Sequence, residues 1–322
     1  MNGNLFLDPT AVADPHVKDR LTPRTSLLDF NIEALEPVEI EGPPALMARD
    51  FMSPYVWRED DGRFGILLRA VPKLGAEQTD TGIVWGGWSR DGRVFDMLPQ
   101  PSIIPGPGKE DIGGIEDPTV VRVDGGYAVY YTGVLDDHAH GQMFYAQGPS
   151  IDRLRKAGVA LASSKSEGNT KEATVQQLDR GKWRLFYEYA ADDASRIGLA
   201  TGPTVAGPWK EQPTPFMPRK DSWDNWHLSP GPLLIDDPAT PIMFYNGATA
   251  DARWRIGWIA FDADCTRVID RGIMPLITPP PEDDRTATDI AFAASVVTVD
   301  QQIWLYYSLA DRRLARALVR RS

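Results

Sequence analysis

Asp117–Thr132, DPTVVRVDGGYAVYYT, reads as two short strands around an Asp-Gly-Gly turn. Its first run is β-branched and its second aromatic, and Asp-Gly between such runs is a hairpin signal. The same pattern returns along the chain. SPYVWREDDGRFGILLR starts at Ser53 and EATVQQLDRGKWRLFYE at Glu172, with weaker copies SPGPLLIDDPATPIMFYN at Ser229 and AASVVTVDQQIWLYYS at Ala293. The second runs end near positions 68, 131, 187, 245 and 307, a period of about 60 residues. A third strand-like run follows each hairpin: TGIVWGGWS, QMFYAQG, RIGLATG, RIGWIAF and RRLARALV. Three or four antiparallel strands repeated five times predict an all-β chain folded as a five-bladed β-propeller. A β-sandwich with coincidental spacing is the alternative. Residues 1–45 read as an N-terminal extension wrapping a propeller of residues 46–322. A short helix is expected near Asp29–Leu35, and the extension is a candidate contact for a homo-oligomer.

The repeat also predicts where chemistry would gather. In a propeller the innermost strand of each blade starts beside the axis. The aligned first residues are Ser53, Asp117, Glu172, Ser229 and Ala293. The residues before them include Asp50, Glu116, Lys171, His227 and Asp289, and the second-strand ends bring Arg69, Glu188, Asn246 and Ser308. Polar groups distant in sequence thus converge on one funnel, with Trp223, Trp226 and Trp254 in nearby loops. Carboxylates beside aromatic rings suit a sugar. Cleaving a glycosidic bond takes a proton donor for the leaving oxygen and a second group on the opposite ring face. Neighbouring carboxylates push one pKa upward, readying an acid for neutral pH.

The remaining composition narrows the partners. Of 322 residues, 42% are hydrophobic and 25% charged, an ordinary globular mix. The formal net charge of -11 repels phosphate backbones and anionic lipid, so neither nucleic acid nor a membrane is an expected partner. Cys265 is the single cysteine, and the four histidines show no paired ligand spacing, so no metal and no cofactor are expected. The first twenty residues lack a basic start with an apolar run, and the expected location is the cytoplasm. The acidic runs Glu59–Asp61 and Glu282–Asp284 read as solvated turns. Asp262-Ala263-Asp264 lacks most of a calcium loop and reads as a turn.

GGIEDPTVVRVDGGYAVYYTGV, residues 113–134, resembles the G-[VI]-E-D-P-R signature segment of glycoside hydrolase family 130, the mannoside phosphorylases and β-mannosidases. SPYVWREDDGRFGILLRAV, WSRDGRVF, WRIGWIAFDADCTRVIDRGIMPLITPP and WLYYSLADRRLARALV resemble further family segments, so the likeness runs from about Met47 to Arg320. It implies a five-bladed propeller acting on β-mannosides. Asp117 then maps to the general acid, working through a substrate hydroxyl, and Arg69 and Asp311 to sugar contacts. Glu116, Lys171, His227, Asn246 and Asp289 complete the candidate binding set.

The departures point to hydrolysis. Thr119 replaces the Arg after E-D-P. The family's phosphate-holding cations fall on Asn169, Glu188 and His227, and only Lys171 remains. With Glu172 and Glu188 in the funnel, phosphate would be repelled and water activated by Glu188, Glu172 or both. Two other readings stay open. In one, the chain resembles the family 43 and 32 propeller glycosidases, with Glu172 as acid and Asp117 as modulator on an arabinoside or fructoside. In the other it is a non-catalytic carbohydrate-binding propeller.

Overall fold

In the computed structural model, which describes residues 28–73, 75, 81–179, 181–279 and 289–321, each hairpin copy pairs in antiparallel register. Four of the pairs are long: Arg49–Arg58 with Phe64–Pro72, Gly114–Val123 with Gly126–Val134, Thr170–Asp179 with Lys182–Ala191, and Ala291–Val299 with Gln302–Leu309. Apart from a single turn of helix, Pro44–Met47, the described elements are strands. None of them is a helix long and apolar enough to cross a membrane.

The fourth hairpin is broken. His227–Ser229 pairs with Asn246–Ala248, and Leu233–Leu234 with Ile242–Met243, in two separate short sheets. The cause is Ser-Pro-Gly-Pro at 229–232, since proline offers no N–H to a ladder. Hydrogen bonds nonetheless carry across the gap: Phe244 N–H donates to Pro232 O at 3.0 Å and Gly257 N–H to Tyr245 O at 2.9 Å.

The second strand of every unit carries two adjacent large residues that face opposite sides, as a period of two requires. Leu67 and Leu68, Tyr130 and Tyr131, Phe186 and Tyr187, Phe244 and Tyr245, and Tyr306 and Tyr307 are all buried. In each pair, one side chain packs toward the preceding unit and the other toward the following one. Five apolar clusters result, each shared by two consecutive units, and the last joins the fifth unit to the first. A ring of polar side chains repeats the pattern between inner strands. Ser53 Oγ donates to Asp117 Oδ1 (2.6 Å), Thr119 Oγ1 to Ala173 O (2.5 Å) and Thr174 Oγ1 to Gly231 O (2.8 Å). Asn246 bonds both the N–H and C=O of Ala293, and Ser295 Oγ accepts from Val56 N–H and donates to Pro54 O.

Residues 30–37 are a strand, not the helix expected near Asp29–Leu35. Phe30–Pro37 pairs with the closing strand Arg313–Arg321, and Phe30 is buried against Phe244 and Trp258. An unpaired strand edge with an apolar face outweighs the local helical preference. Glu39–Glu41 then pairs in parallel with Val94–Asp96, so residues 30–41 bridge the fifth and first units. Residues 1–27 of the expected extension and the run Glu282–Asp284 lie outside the described residues. The other acidic run is not merely solvated: Glu59 accepts from Trp57 Nε1 (2.7 Å) and Tyr127 OH (2.5 Å), and Arg122 grips Asp60, stapling two units together. Asp262 accepts three backbone and side-chain donors from Thr266 and Arg267, as a turn.

Candidate functional site

Three inner strands share one irregularity. The register slips between Met52 and Tyr55, between Glu116 and Thr119, and between Lys171 and Thr174. At each slip a non-glycine residue has a positive φ: Ser53 at 49°, Asp117 at 46° and Glu172 at 51°. Such backbone is strained for an L-residue and gathers at functional sites, where bulges re-aim side chains. Here the three bulges bring Ser53, Asp117 and Glu172 into a hydrogen-bonded row. Ser53 Oγ donates to Asp117, and Asp117 shares a hydrogen bond with Glu172. The fourth and fifth units place Ser229 and Ala293 at the aligned positions, so the acidic groups come from the second and third units.

The residues around that row are charged. Arg69, at the end of the first unit's second strand, pairs with Glu116 and lies 3.7 Å from Asp117 Oδ1. Its Nε is buried without a hydrogen-bond partner among the described residues, a donor left over. Lys171 stands cross-strand from Glu188, 3.6 Å from its Oε1. Asp311, also with positive φ, lies within electrostatic reach of Arg69, Asp117 and Lys171. Arg69, Glu116, Asp117, Lys171, Glu172, Glu188 and Asp311 therefore form one cluster.

Its electrostatics distinguish the two central carboxyls. Burial resists the charge on Asp117, but Arg69, Lys171 and hydrogen bonds from Glu172 and Ser53 outweigh it and hold Asp117 below the ordinary carboxylate range. Glu172 is pushed well above it by burial and by the anions of Asp117 and Glu188, with Lys171 opposing too weakly. Of the two carboxyls Glu172 therefore holds a proton the more tightly, in a hydrogen bond with Asp117. Burial and Asp117 also raise Asp311, against Arg69, while Glu188 holds Lys171 firmly protonated.

A second layer, absent from the sequence reading, positions Glu188. The Ser195 hydroxyl donates to Glu188 Oε1 at 2.8 Å. The Ser195 N–H donates to His227 Nδ1 at 3.1 Å, which leaves the ring proton of neutral His227 on Nε2. Burial lowers the His227 pKa, keeping it neutral. Its ring lies 5.5 Å from that of Trp254.

Other candidates lie apart from the cluster. Asn246 is fully buried, and its amide is spent on Pro230 O, Ala293 O and Ala293 N–H, so it stitches two units together and has nothing left for a sugar. Asp289 pairs with Arg253 at 2.5 Å. Asp50 lies opposite Val71 along the first inner strand. Trp223 is no exposed platform: it is buried, stacked on Tyr245, with its Nε1 donating to Ile273 O. Beside it Asp224, fully buried, is held by Arg219, Arg271 and Tyr245 OH. Of the three loop tryptophans only Trp226 is exposed. Among the described residues no group of three or more His, Cys, Asp and Glu could hold a metal ion.

No protein-family model matches the chain. A 1,2-beta-oligomannan phosphorylase of Thermoanaerobacter sp. (strain X514) is 23% identical over 269 residues, 81% of this chain and 86% of the relative. Among solved structures, a beta-1,2-mannobiose phosphorylase from Listeria innocua, in complex with beta-1,2-mannobiose, superposes with a TM-score of 0.69 at 17% identity, covering 88% of this chain and 90% of that one. A structure described with glycoside hydrolases of the GH130 family that target beta-1,2 mannosidic linkages in Candida mannan superposes with a TM-score of 0.73 at 20% identity, covering 92% and 95%. In its nearly all-β, propeller-like fold and over four-fifths of its sequence the chain is similar to mannoside phosphorylases and to a structure described with glycoside hydrolases of the GH130 family.

Proposed function

We propose that the chain is a five-bladed propeller enzyme that hydrolyses short β-mannosides, the β-1,2-linked ones foremost. The two short sheets of the fourth unit are counted as one blade. Five shared apolar clusters and five inter-strand stitches, one of each joining the fifth unit back to the first, support that count. The single observation that carries hydrolysis over phosphorolysis is the Lys171–Glu188 pair. The one cation left at the phosphate-binding positions faces a carboxylate, and the site around it is acidic. A phosphate nucleophile would have to displace that carboxylate or bear its repulsion. Water has no such cost.

In this reading the sugar lies over the Asp117–Glu172 row, and Arg69 holds one of its hydroxyls. As the glycosidic C–O bond breaks, the leaving oxygen takes a proton from the pair. Glu172 supplies it through Asp117, which hands it on directly or by way of a substrate hydroxyl. Water attacks the anomeric carbon from the other side and loses its proton to Glu188, oriented by Ser195 and Lys171. Because Glu172 already carries a proton, Glu188 is the base. Glu116 and Asp311 hold Arg69 and contact the sugar, and His227 offers its Nε2–H.

The family 43/32-like reading assigns the proton to Glu172 as well, and the charge distribution favours that part of it. It lacks an aspartate base at Ser53, and Asp50, three residues upstream and paired with Val71, makes no hydrogen bond to the cluster's carboxyls among the described residues. The test is Asp117→Asn assayed on β-1,2-mannobiose and aryl β-mannosides. Turnover is expected to fall at least a hundredfold while calorimetric sugar binding persists. Unchanged binding to a wild-type protein that never turns over would instead leave a lectin.

A further inference from the structure

Trp226 stands next to His227 in the chain and outside the catalytic cluster. The residue is 40% exposed. It is not loose. Its backbone N–H donates to Ala248 O at 3.1 Å, its carbonyl accepts from Arg196 Nη1 at 2.7 Å, and its indole N–H donates to Asp193 O at 3.3 Å. Every polar handle of the residue is spent on protein, and only the ring surface is offered outward.

A cleft of about 500 Å³ opens beside it, within the range of small-ligand sites. Asn225, Thr249, Asp251 and Lys220 are among the residues lining it. Thr249 and Asp251 are themselves hydrogen-bonded to each other, which sets the acceptor side of the cleft. A flat apolar face with hydroxyl- and carboxylate-bearing neighbours matches a pyranose, whose C–H face is apolar and whose rim is all hydroxyl. The loops involved precede an inner strand or follow a second strand, so they open on the same end of the sheets as Asp117 and Glu188. The link is short: Ser195 binds both Glu188 and His227, and Trp226 is the next residue.

We propose that this cleft is a distal sugar subsite, in which Trp226 stacks on a pyranose remote from the bond being cleaved. It rests on the reading above that the substrate is an oligosaccharide. Because the ring is held before any ligand arrives, little ordering is left for binding to overcome. Longer substrates would then gain over the disaccharide.

The test compares β-1,2-mannotetraose with β-1,2-mannobiose on wild type, Trp226→Ala and Trp226→Phe. The expected result is that the ratio of kcat/KM, tetraose over biose, falls about tenfold in Trp226→Ala and is largely kept in Trp226→Phe, which retains a ring. An unchanged ratio in Trp226→Ala overturns the subsite, since a purely structural tryptophan would affect both substrates alike. If wild type cleaves neither sugar, the hydrolase reading fails by itself. Calorimetric titration with mannotetraose then decides the subsite: weaker binding by Trp226→Ala upholds it, and equal or absent binding ends it.

Discussion

Replacing Glu172 with glutamine removes one proton and almost nothing else. With the carboxyl protonated, Glu→Gln is neutral for neutral and close in shape. The glutamine N–H can donate to Asp117 in place of the acid O–H, and the positive φ of 51° is no worse for glutamine. The ion pairs of Arg69 and Lys171 keep their partners. What is lost is the transferable proton, and general acid catalysis is worth about 10²–10⁴ in rate. Turnover of β-1,2-mannobiose should fall by about that factor. A 2,4-dinitrophenyl β-mannoside, whose leaving group departs unassisted, should lose less than about tenfold. The alkaline limb of the pH–rate profile should vanish, because on the proposed mechanism that limb would be Glu172 losing its proton. Stability changes with a definite sign. Glu172 titrates higher folded than unfolded, so the folded state binds the extra proton and wild type weakens as pH rises through the folded pKa. Melting temperatures of wild type and Glu172→Gln should agree near pH 4 and diverge by pH 9, the variant being higher. Retained turnover on mannobiose, or an alkaline limb that survives, would refute the placement of the proton on Glu172. Equal losses on both substrates would mean that the substitution damaged the site.

Ser53→Ala removes a 2.6 Å donor to Asp117, so stability at pH 7 should drop by about 1.5–3 kcal/mol in urea titrations. Asp117 is held below its ordinary range, so that contribution exists above its unfolded pKa and fades as pH falls through the folded one; a difference that does not shrink as the pH is lowered would contradict it. Asn246→Leu strands Pro230 O, Ala293 O and Ala293 N–H, and should cost about 3 kcal/mol or more in the same assay. A loss under about 1 kcal/mol would return Asn246 to the list of sugar contacts. Arg271→Ala leaves buried Asp224 with a weakened partner set and should cost about 3–5 kcal/mol with KM unchanged.

Much of this arrangement is legible in the residues. The hairpin copies mark where strands pair, and their alignment is what put Asp117, Glu172 and Glu188 side by side as candidates. The same alignment offered Arg69, and the family likeness added Asp311. What pattern could not supply is direction. Ser-Pro and Asp-Pro hint at irregular strand entry, but nothing in Lys-Glu-Ala at 171–173 announces a left-handed glutamate. Nor does the alignment distinguish Asn246, which looks like a mouth residue at the end of a strand, from a group whose every polar atom is consumed by backbone. Ser195 and Asp224 were missed because the partners that give them a role are mostly distant in sequence, and a lone serine or aspartate carries no periodic signal. Trp223 and Trp226 are three positions apart and differ only in which side of the loop meets Tyr245. The strand at 30–37 escaped for a related reason: its partner, Arg313–Arg321, is at the other end of the chain.

The most direct test is incubation with β-1,2-mannobiose in H2(18)O, with and without inorganic phosphate. Hydrolysis predicts that mannose forms at the same rate in both, with one label per cleavage at the anomeric oxygen and no mannose 1-phosphate. Product that appears only with phosphate, unlabelled and as the sugar phosphate, would contradict the account.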